Sequence, residues 1–259
     1  MLFRSTIVRM VEKSFELSEA SNTPVMMELR IRACHLFGAF PAKTNVAAKH
    51  STTHRFDAPA PFEYMRLAHP PVTFIQENDK AKKRLPAAQD FIVANALNEV
   101  LGPKQHDIGV IVQGGLFNAL NSRLETAGLS NAFGDVEIPT LVLNVTHPLA
   151  PGQITQFCAG KKAVLIVEEG QPEFIEQAIG QILRKADLQT KIFGKDVLPY
   201  GGEYAPRALG EGLAKFLRAN GRESASLEAW LATIDANGKA LQAALPAPLP
   251  PRPPGLCTG

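Results

Sequence analysis

The chain alternates short, wholly apolar runs with amphipathic stretches. IGVIV (108–112), PTLVLNV (139–145), AVLIV (163–167) and TKIFG (190–194) are the apolar runs. Runs this short and rich in β-branched residues predict strands buried on both faces. Between them, Leu116, Leu120 and Leu124 line one face at helical spacing, a short helix is predicted from Pro151, and Ile175, Ile179, Ile182 and Leu183 mark another. Two further helices are predicted near 206–220 and 226–244. Leu213, Phe216 and Leu217 form the buried stripe of the first, and Trp230, Leu231 and Ile234 that of the second. Strand and helix in alternation predict an α/β fold, a mostly parallel sheet with helices on both faces and right-handed crossovers.

Ahead of this region the pattern loosens. Val8, Val11 and Phe15 recur at helical spacing, and TPVMMELRI (23–31) reads as a buried strand. A helix feeding a strand with nothing in front resembles the close of a preceding α/β domain, to which residues 1–35 are assigned. Residues 36–100 are read as an interdomain connection and a helix. Up to about residue 78 there is little periodicity, with prolines at 59, 61, 70 and 71, as a surface connection would have. RLPAAQDFIVANALNEVLG (84–102) predicts the helix, with Pro86 in its first turn and Gly102 just past its end. The α/β domain proper occupies 101–245. PAPLPPRPPGLCTG (246–259) is an extended, proline-rich linker that stops one residue short of a C-x-x-C.

Composition narrows the class. The 27 basic and 25 acidic residues leave a formal net charge of +2, too little for a nucleic-acid field, so no nucleic-acid partner is expected. No apolar run approaches the roughly 18–20 residues of a membrane span. The start of the chain carries Glu12 and Glu16 and has no continuous apolar segment, unlike a leader peptide. Cys34, Cys158 and Cys257 are scattered and odd in number, which fits a reducing cytoplasm better than a disulfide framework.

Candidate chemistry is thin. Gly114 and Gly115 stand between a strand and a helix, where backbone N–H groups can meet a phosphate, but they form neither G-x-G-x-x-G nor a P-loop. A tight turn is the plainer reading. Glu168 and Glu169 follow the third predicted strand, at the sheet end where open α/β folds bind ligands. They are candidates for metal or base chemistry, and equally for charge ahead of a helix starting near Pro172. His50 and His54 have chelating i,i+4 spacing on a poor helix former. Cys34–His35 is a thiol–imidazole pair without a sign of activation, and His147 follows a strand end where it can line a cleft. No Ser-His-Asp set and no C-x-x-C for an iron–sulfur cluster is present. The residues alone therefore yield an α/β domain without a catalytic residue and without a metal site.

HPPVTFIQENDKAKKRLPAAQDFIVANALNEV (69–100) and DIGVIVQGGLFNAL (107–120) carry a resemblance. So do PTLVLNVTHPLAPGQITQFCAGKKAVLIVEEGQPEFIEQAIGQILRKAD (139–187), GKDVLPYGGEY (194–204) and the tail LPPRPPGLCTG (249–259). The sequence resembles the large fused form of indolepyruvate ferredoxin oxidoreductase, a thiamine-diphosphate-dependent 2-oxoacid oxidoreductase. The resemblance implies that 1–35 closes a pyrimidine-binding-type domain and that 101–245 is a transketolase C-terminal-like domain used for packing. It implies that 246–259 leads to a thiamine-diphosphate-binding domain whose opening motif would begin at Cys257. Thiamine diphosphate, Mg²⁺ and Fe–S clusters are implied for the whole enzyme but none for this segment. The implied partners are the enzyme's remaining domains, ferredoxin and coenzyme A, in a homodimer. The expected role is structural within an enzyme that oxidatively decarboxylates indolepyruvate, the segment being inactive alone. Another 2-oxoacid as substrate, or a free-standing α/β ligand-binding or interaction module, are the alternatives.

Overall fold

The computed structural model describes residues 4–29, 34–35, 37–47, 63–67 and 69–245. Its core is a five-stranded sheet. Strands β1 (Glu99–Leu101), β2 (Ile108–Gln113), β3 (Thr140–Leu143), β4 (Ala163–Val167) and β5 (Lys191–Phe193) lie in the order β1-β3-β2-β4-β5. All pairings are parallel except β1 on β3. The four apolar runs thus form the predicted strands, and the α/β class with a mostly parallel sheet is the observed one.

Burial on both faces explains why these runs are continuously apolar. Ile108, Val110 and Val112 of β2 point to one side, with Val142 of β3 and Leu165 and Val167 of β4. Against them pack α4 (Phe117–Thr126), α7 (Pro206–Ala219) and α8 (Ala225–Ala244), through Leu120, Leu124, Leu213, Phe216 and Leu227. Ile111, Leu141, Leu143, Val164 and Ile166 point to the other side, against α5 (Pro151–Cys158) and α6 (Phe174–Lys185). Each fully buried aliphatic side chain contributes roughly 1.5–3 kcal/mol. The chain leaves β2 through α4 on one face and returns through α5 and α6 on the other, so the connections diverge between β2 and β4. That point is where such sheets open a crevice at the carboxyl ends of their strands.

The front of the chain departs from expectation. Residues 4–21 form helix α1 (Arg4–Ser21), but Val8, Val11 and Phe15 do not face a core, and Phe15 is 72% exposed. Met10 and Leu17 pack instead on Ala88, Ile92 and Leu97, because α3 (Leu85–Ala94) lies against that side. The strand expected over 23–31 is not formed in its described part, residues 23–29. A strand needs a neighbouring edge to satisfy its backbone groups, and none of the described strands pairs with this stretch, where Met26 is 93% exposed.

The helix expected over 84–102 is shifted. Helical structure begins earlier, at α2 (Val72–Asp79), and passes through a π-turn (Lys80–Arg84) into α3. Pro86 does lie in the first turn of α3. It has no N–H to give, and the ladder widens just ahead of it, where Leu85 N–H reaches back to Lys80 O. Helix α3 stops at Ala94, and 99–101 pair with β3 as an antiparallel edge. Gly102 ends that strand rather than a helix. Its φ is +84°, and an added Cβ would stand 2.8 Å from Val136 O, so only glycine fits.

At the amino end of the sheet Asp107 receives Lys162 Nζ at 2.8 Å and Arg222 Nη2 at 2.7 Å, joining β2 to the α7–α8 turn. The Lys162 hydrogen bond, aided by Arg222, holds its carboxyl down at about 2 from an ordinary 3.8. The native carboxylate is thus favoured over the unfolded one. Its stabilisation is complete above pH 4 and is lost as pH falls towards 2. Replacing Asp107 with Asn should flatten the acid limb of the stability curve between those values. Because the pair is solvent-screened, the cost near neutrality should be no more than ~1 kcal/mol. Urea melts of both proteins from pH 2 to 7 measure this.

Candidate functional site

At the carboxyl ends of β2, β4 and β5 a cluster of polar side chains comes together. Glu168 directly follows β4 and is only 5% exposed. Its carboxylate accepts the N–H groups of Ile175 at 2.9 Å and Glu176 at 3.0 Å, in the first turn of α6. A helix start leaves such donors unpaired and positively polarised, so a buried carboxylate there is satisfied by the helix itself. Glu169 accepts Tyr204 N–H at 2.6 Å, and its own N–H donates to Gln113 Oε1 at 2.8 Å. Glu176 accepts Lys195 N–H at 3.0 Å and Asp196 accepts Gly194 N–H at 2.7 Å. Of the two sequence-predicted carboxylates, both sit where expected, and both hold backbone amides.

Lys195 stands at the centre, just past β5. Its ammonium donates to Glu168 O at 2.7 Å, Gly170 O at 2.8 Å and Tyr204 Oη at 2.8 Å. Pro199 O lies further off at 3.5 Å, and it also accepts the Tyr204 hydroxyl's own hydrogen at 2.9 Å. Burial lowers the proton affinity of the ammonium; Glu168, Glu176, Glu173 and Glu169 oppose that shift without cancelling it. Burial, reinforced by Glu168, Glu169 and Glu176, raises the Tyr204 phenol well above its usual value. The phenol therefore stays protonated and serves as a hydrogen-bond relay.

Gly114 is the packing hinge of its turn. It is buried, and a Cβ there would stand 2.5 Å from Asn144 Oδ1 and 3.3 Å from Asn144 Cα. The approach of the residue after β3 therefore demands a glycine and closes the turn on that side. Gly115 follows it in the same one-turn 3₁₀ segment that leads into α4.

His147 is exposed, as a cleft residue would be. It lines a cavity of about 950 Å³ with Gln113, Thr146, Leu149, Phe174 and Ile175, into which Glu168 also faces. Cys34 and His35 are both exposed. Cys158 is buried in the α5–α6 layer, where burial pushes its thiol up to about 11, that of an inert packing residue. His50, His54 and Cys257 lie outside the described residues. Among those described, no three His, Cys, Asp or Glu side chains are set to hold a metal ion. No described helix is long and apolar enough to cross a membrane.

Sequence reasoning missed Gln113, Lys195 and Tyr204. The signal available was positional: Gln113 ends β2 and Lys195 lies two residues after β5, as Glu168 follows β4, whereas Tyr204, just ahead of α7, had no such signal. Only the fold shows that these ends converge.

A doubly wound, mostly parallel sheet whose strand ends carry a cluster of carboxylates hydrogen-bonded to backbone amides defines an α/β protein of the open-sheet kind. No family model matches the chain. It is similar along nearly its whole length to proteins named indolepyruvate oxidoreductase subunit IorA, in agreement with the resemblance carried by its motifs. It is 26% identical over 256 residues to that of Methanothermobacter marburgensis, covering 98% of this chain and 36% of the relative. Identity is 27% over 256 residues to that of Methanothermobacter thermautotrophicus, with the same coverage. Against Pyrococcus horikoshii it is 25% over 259 residues, covering 96% and 36%. The chain thus spans little more than a third of the length of the curated relatives it matches.

Because Glu168 seals the start of α6, its replacement by Gln should destabilise the fold. Ile175 N–H and Glu176 N–H are met by different carboxylate oxygens, so the new NH₂ takes the place of one acceptor and opposes that N–H. A loss of ~1–3 kcal/mol is expected in urea unfolding, with the sheet's circular dichroism unchanged.

Proposed function

We propose that this chain is a structural, interdomain part of an indolepyruvate oxidoreductase. In this reading the whole enzyme oxidatively decarboxylates indolepyruvate, or related aryl pyruvates, to the acyl-coenzyme A, with ferredoxin as electron acceptor. The observation that carries it is the end-to-end similarity to the IorA subunits, confined to a third of their length. The partners are then the enzyme's remaining domains, with ferredoxin and coenzyme A acting on the assembled protein.

The whole enzyme's thiamine diphosphate supplies electron-sink chemistry for decarboxylation when bound. The described residues do not fit that cofactor or its Mg²⁺. The Gly114 turn is closed by Asn144. Glu168 and Glu169, the acidic candidates directly after β4, are spent on amides of this chain. What these residues do is hold the sheet end rigid, which suits a domain against which catalytic domains pack. The transketolase C-terminal-like assignment of 101–245 and the pyrimidine-binding-type assignment of 1–35 belong to the same proposal.

The test is anaerobic assay of the 259-residue chain with thiamine diphosphate, Mg²⁺, indolepyruvate, coenzyme A and oxidised ferredoxin. No carbon dioxide release or ferredoxin reduction above the protein-free rate is expected, while the whole enzyme should turn over. Turnover by this chain alone would overturn the structural assignment. Faster turnover of phenylpyruvate or a branched-chain 2-oxoacid by the whole enzyme would change the substrate.

A further inference from the structure

Two loops meet at the carboxyl rim of the sheet: residues 168–173, leading from β4 into α6, and residues 194–205, leading from β5 into α7. They are tied by side chains rather than by a backbone ladder. We infer that Lys195 and Tyr204 form a clasp that makes these loops open and close as a single unit.

The bonding pattern supports one unit rather than two. Lys195 belongs to the second loop, yet two of its three close acceptors, Glu168 O and Gly170 O, belong to the first. Its third acceptor, Tyr204 Oη, lies at the far end of its own loop and is anchored to Pro199 O midway along it. From the first loop, Glu169 reaches across to Tyr204 N–H. The ring closes through Gln113, whose Oε1 holds Glu169 N–H at the end of β2. Neither loop can lift without breaking bonds made by the other. A part-buried ammonium parted from its acceptors loses charge-assisted hydrogen bonds that are about twice as strong as neutral ones, so intermediate, half-open forms are disfavoured. Tyr204 is almost wholly buried, so the hydroxyl that meets the Lys195 ammonium is held on a packed ring. An arginine would not substitute, because a planar fork cannot direct donors to three acceptors spread around one nitrogen.

This inference rests on the geometry of the clasp alone and stands or falls separately from the proposed function. Amide hydrogen exchange on the full chain tests it, with Glu169 N–H reporting on the first loop and Tyr204 N–H on the second. In Lys195→Met both amides should exchange faster by a similar factor, ~10- to 100-fold. Amides of Val110 and Leu165 in the central strands should stay protected, showing that the fold survives. Tyr204→Phe keeps the ring and removes only the relay hydroxyl, and it should accelerate the same two amides together by a smaller factor. Acceleration of one loop without the other in either variant would overturn the clasp, as would unchanged exchange in both. Should Lys195→Met fail to fold, the Tyr204→Phe result decides alone.

Discussion

The structure depends on a strand with no solvent-facing side. In β2, Ile108, Val110, Ile111 and Val112 are all fully buried, on opposite faces of the sheet. Such a strand can exist only if helices cover both faces, which forces the chain to cross over once in each direction around it. Everything at the carboxyl end follows from that constraint. The diverging crossovers leave β2 and β4 side by side with their ends uncovered, and β5 brings Lys195 to the same rim. The crevice is a consequence of the core before it is a site.

What occupies the rim is electrostatic self-sufficiency. Parallel strand ends and helix starts concentrate unpaired N–H groups, and here the chain answers them with its own acids: Glu168 at α6, Glu169 at Tyr204, Glu176 at Lys195 and Asp196 at Gly194. A ligand-binding α/β domain leaves such donors for phosphate or substrate. Spent internally, these donors tie the helix start and the loops of the rim to one another. The chain closes on itself at Gly114 too, where the turn that might have cradled an anion is filled by Asn144.

The α/β core was legible in the sequence because its signal is redundant. Each run such as AVLIV is apolar at every position, so neither register nor face assignment can hide it. The first hundred residues were less legible because their pattern is ambiguous. Val8, Val11 and Phe15 have helical spacing and do form a helix, but periodicity does not say which face finds a partner, and Met10 and Leu17 found it. ALNEVLG continued the helical pattern beyond Ala94, yet Glu99–Leu101 pair with β3, whose open edge offers a ladder that propensity cannot foresee. At the site, Glu168 and Glu169 were visible as acids after a strand. Their use was not, since it depends on Lys195 and Tyr204, remote in sequence.

Lys195 also shows why a depressed proton affinity is not a mark of catalysis here. Functional lysines are tuned by burial so that a free amine can act, but this amine is ringed by acceptors: Glu168 O, Gly170 O, Tyr204 Oη and, at 3.5 Å, Pro199 O. These oxygens belong to two loops, and four carboxylates nearby favour the charged form against burial. The cation has been drawn inside to do what a β-ladder does elsewhere, joining two stretches of chain that have no backbone pairing between them. A catalytic amine would need at least one of those acceptors replaced by open space. The arrangement is that of a structural ion, carried on a side chain, holding the two loops in one conformation.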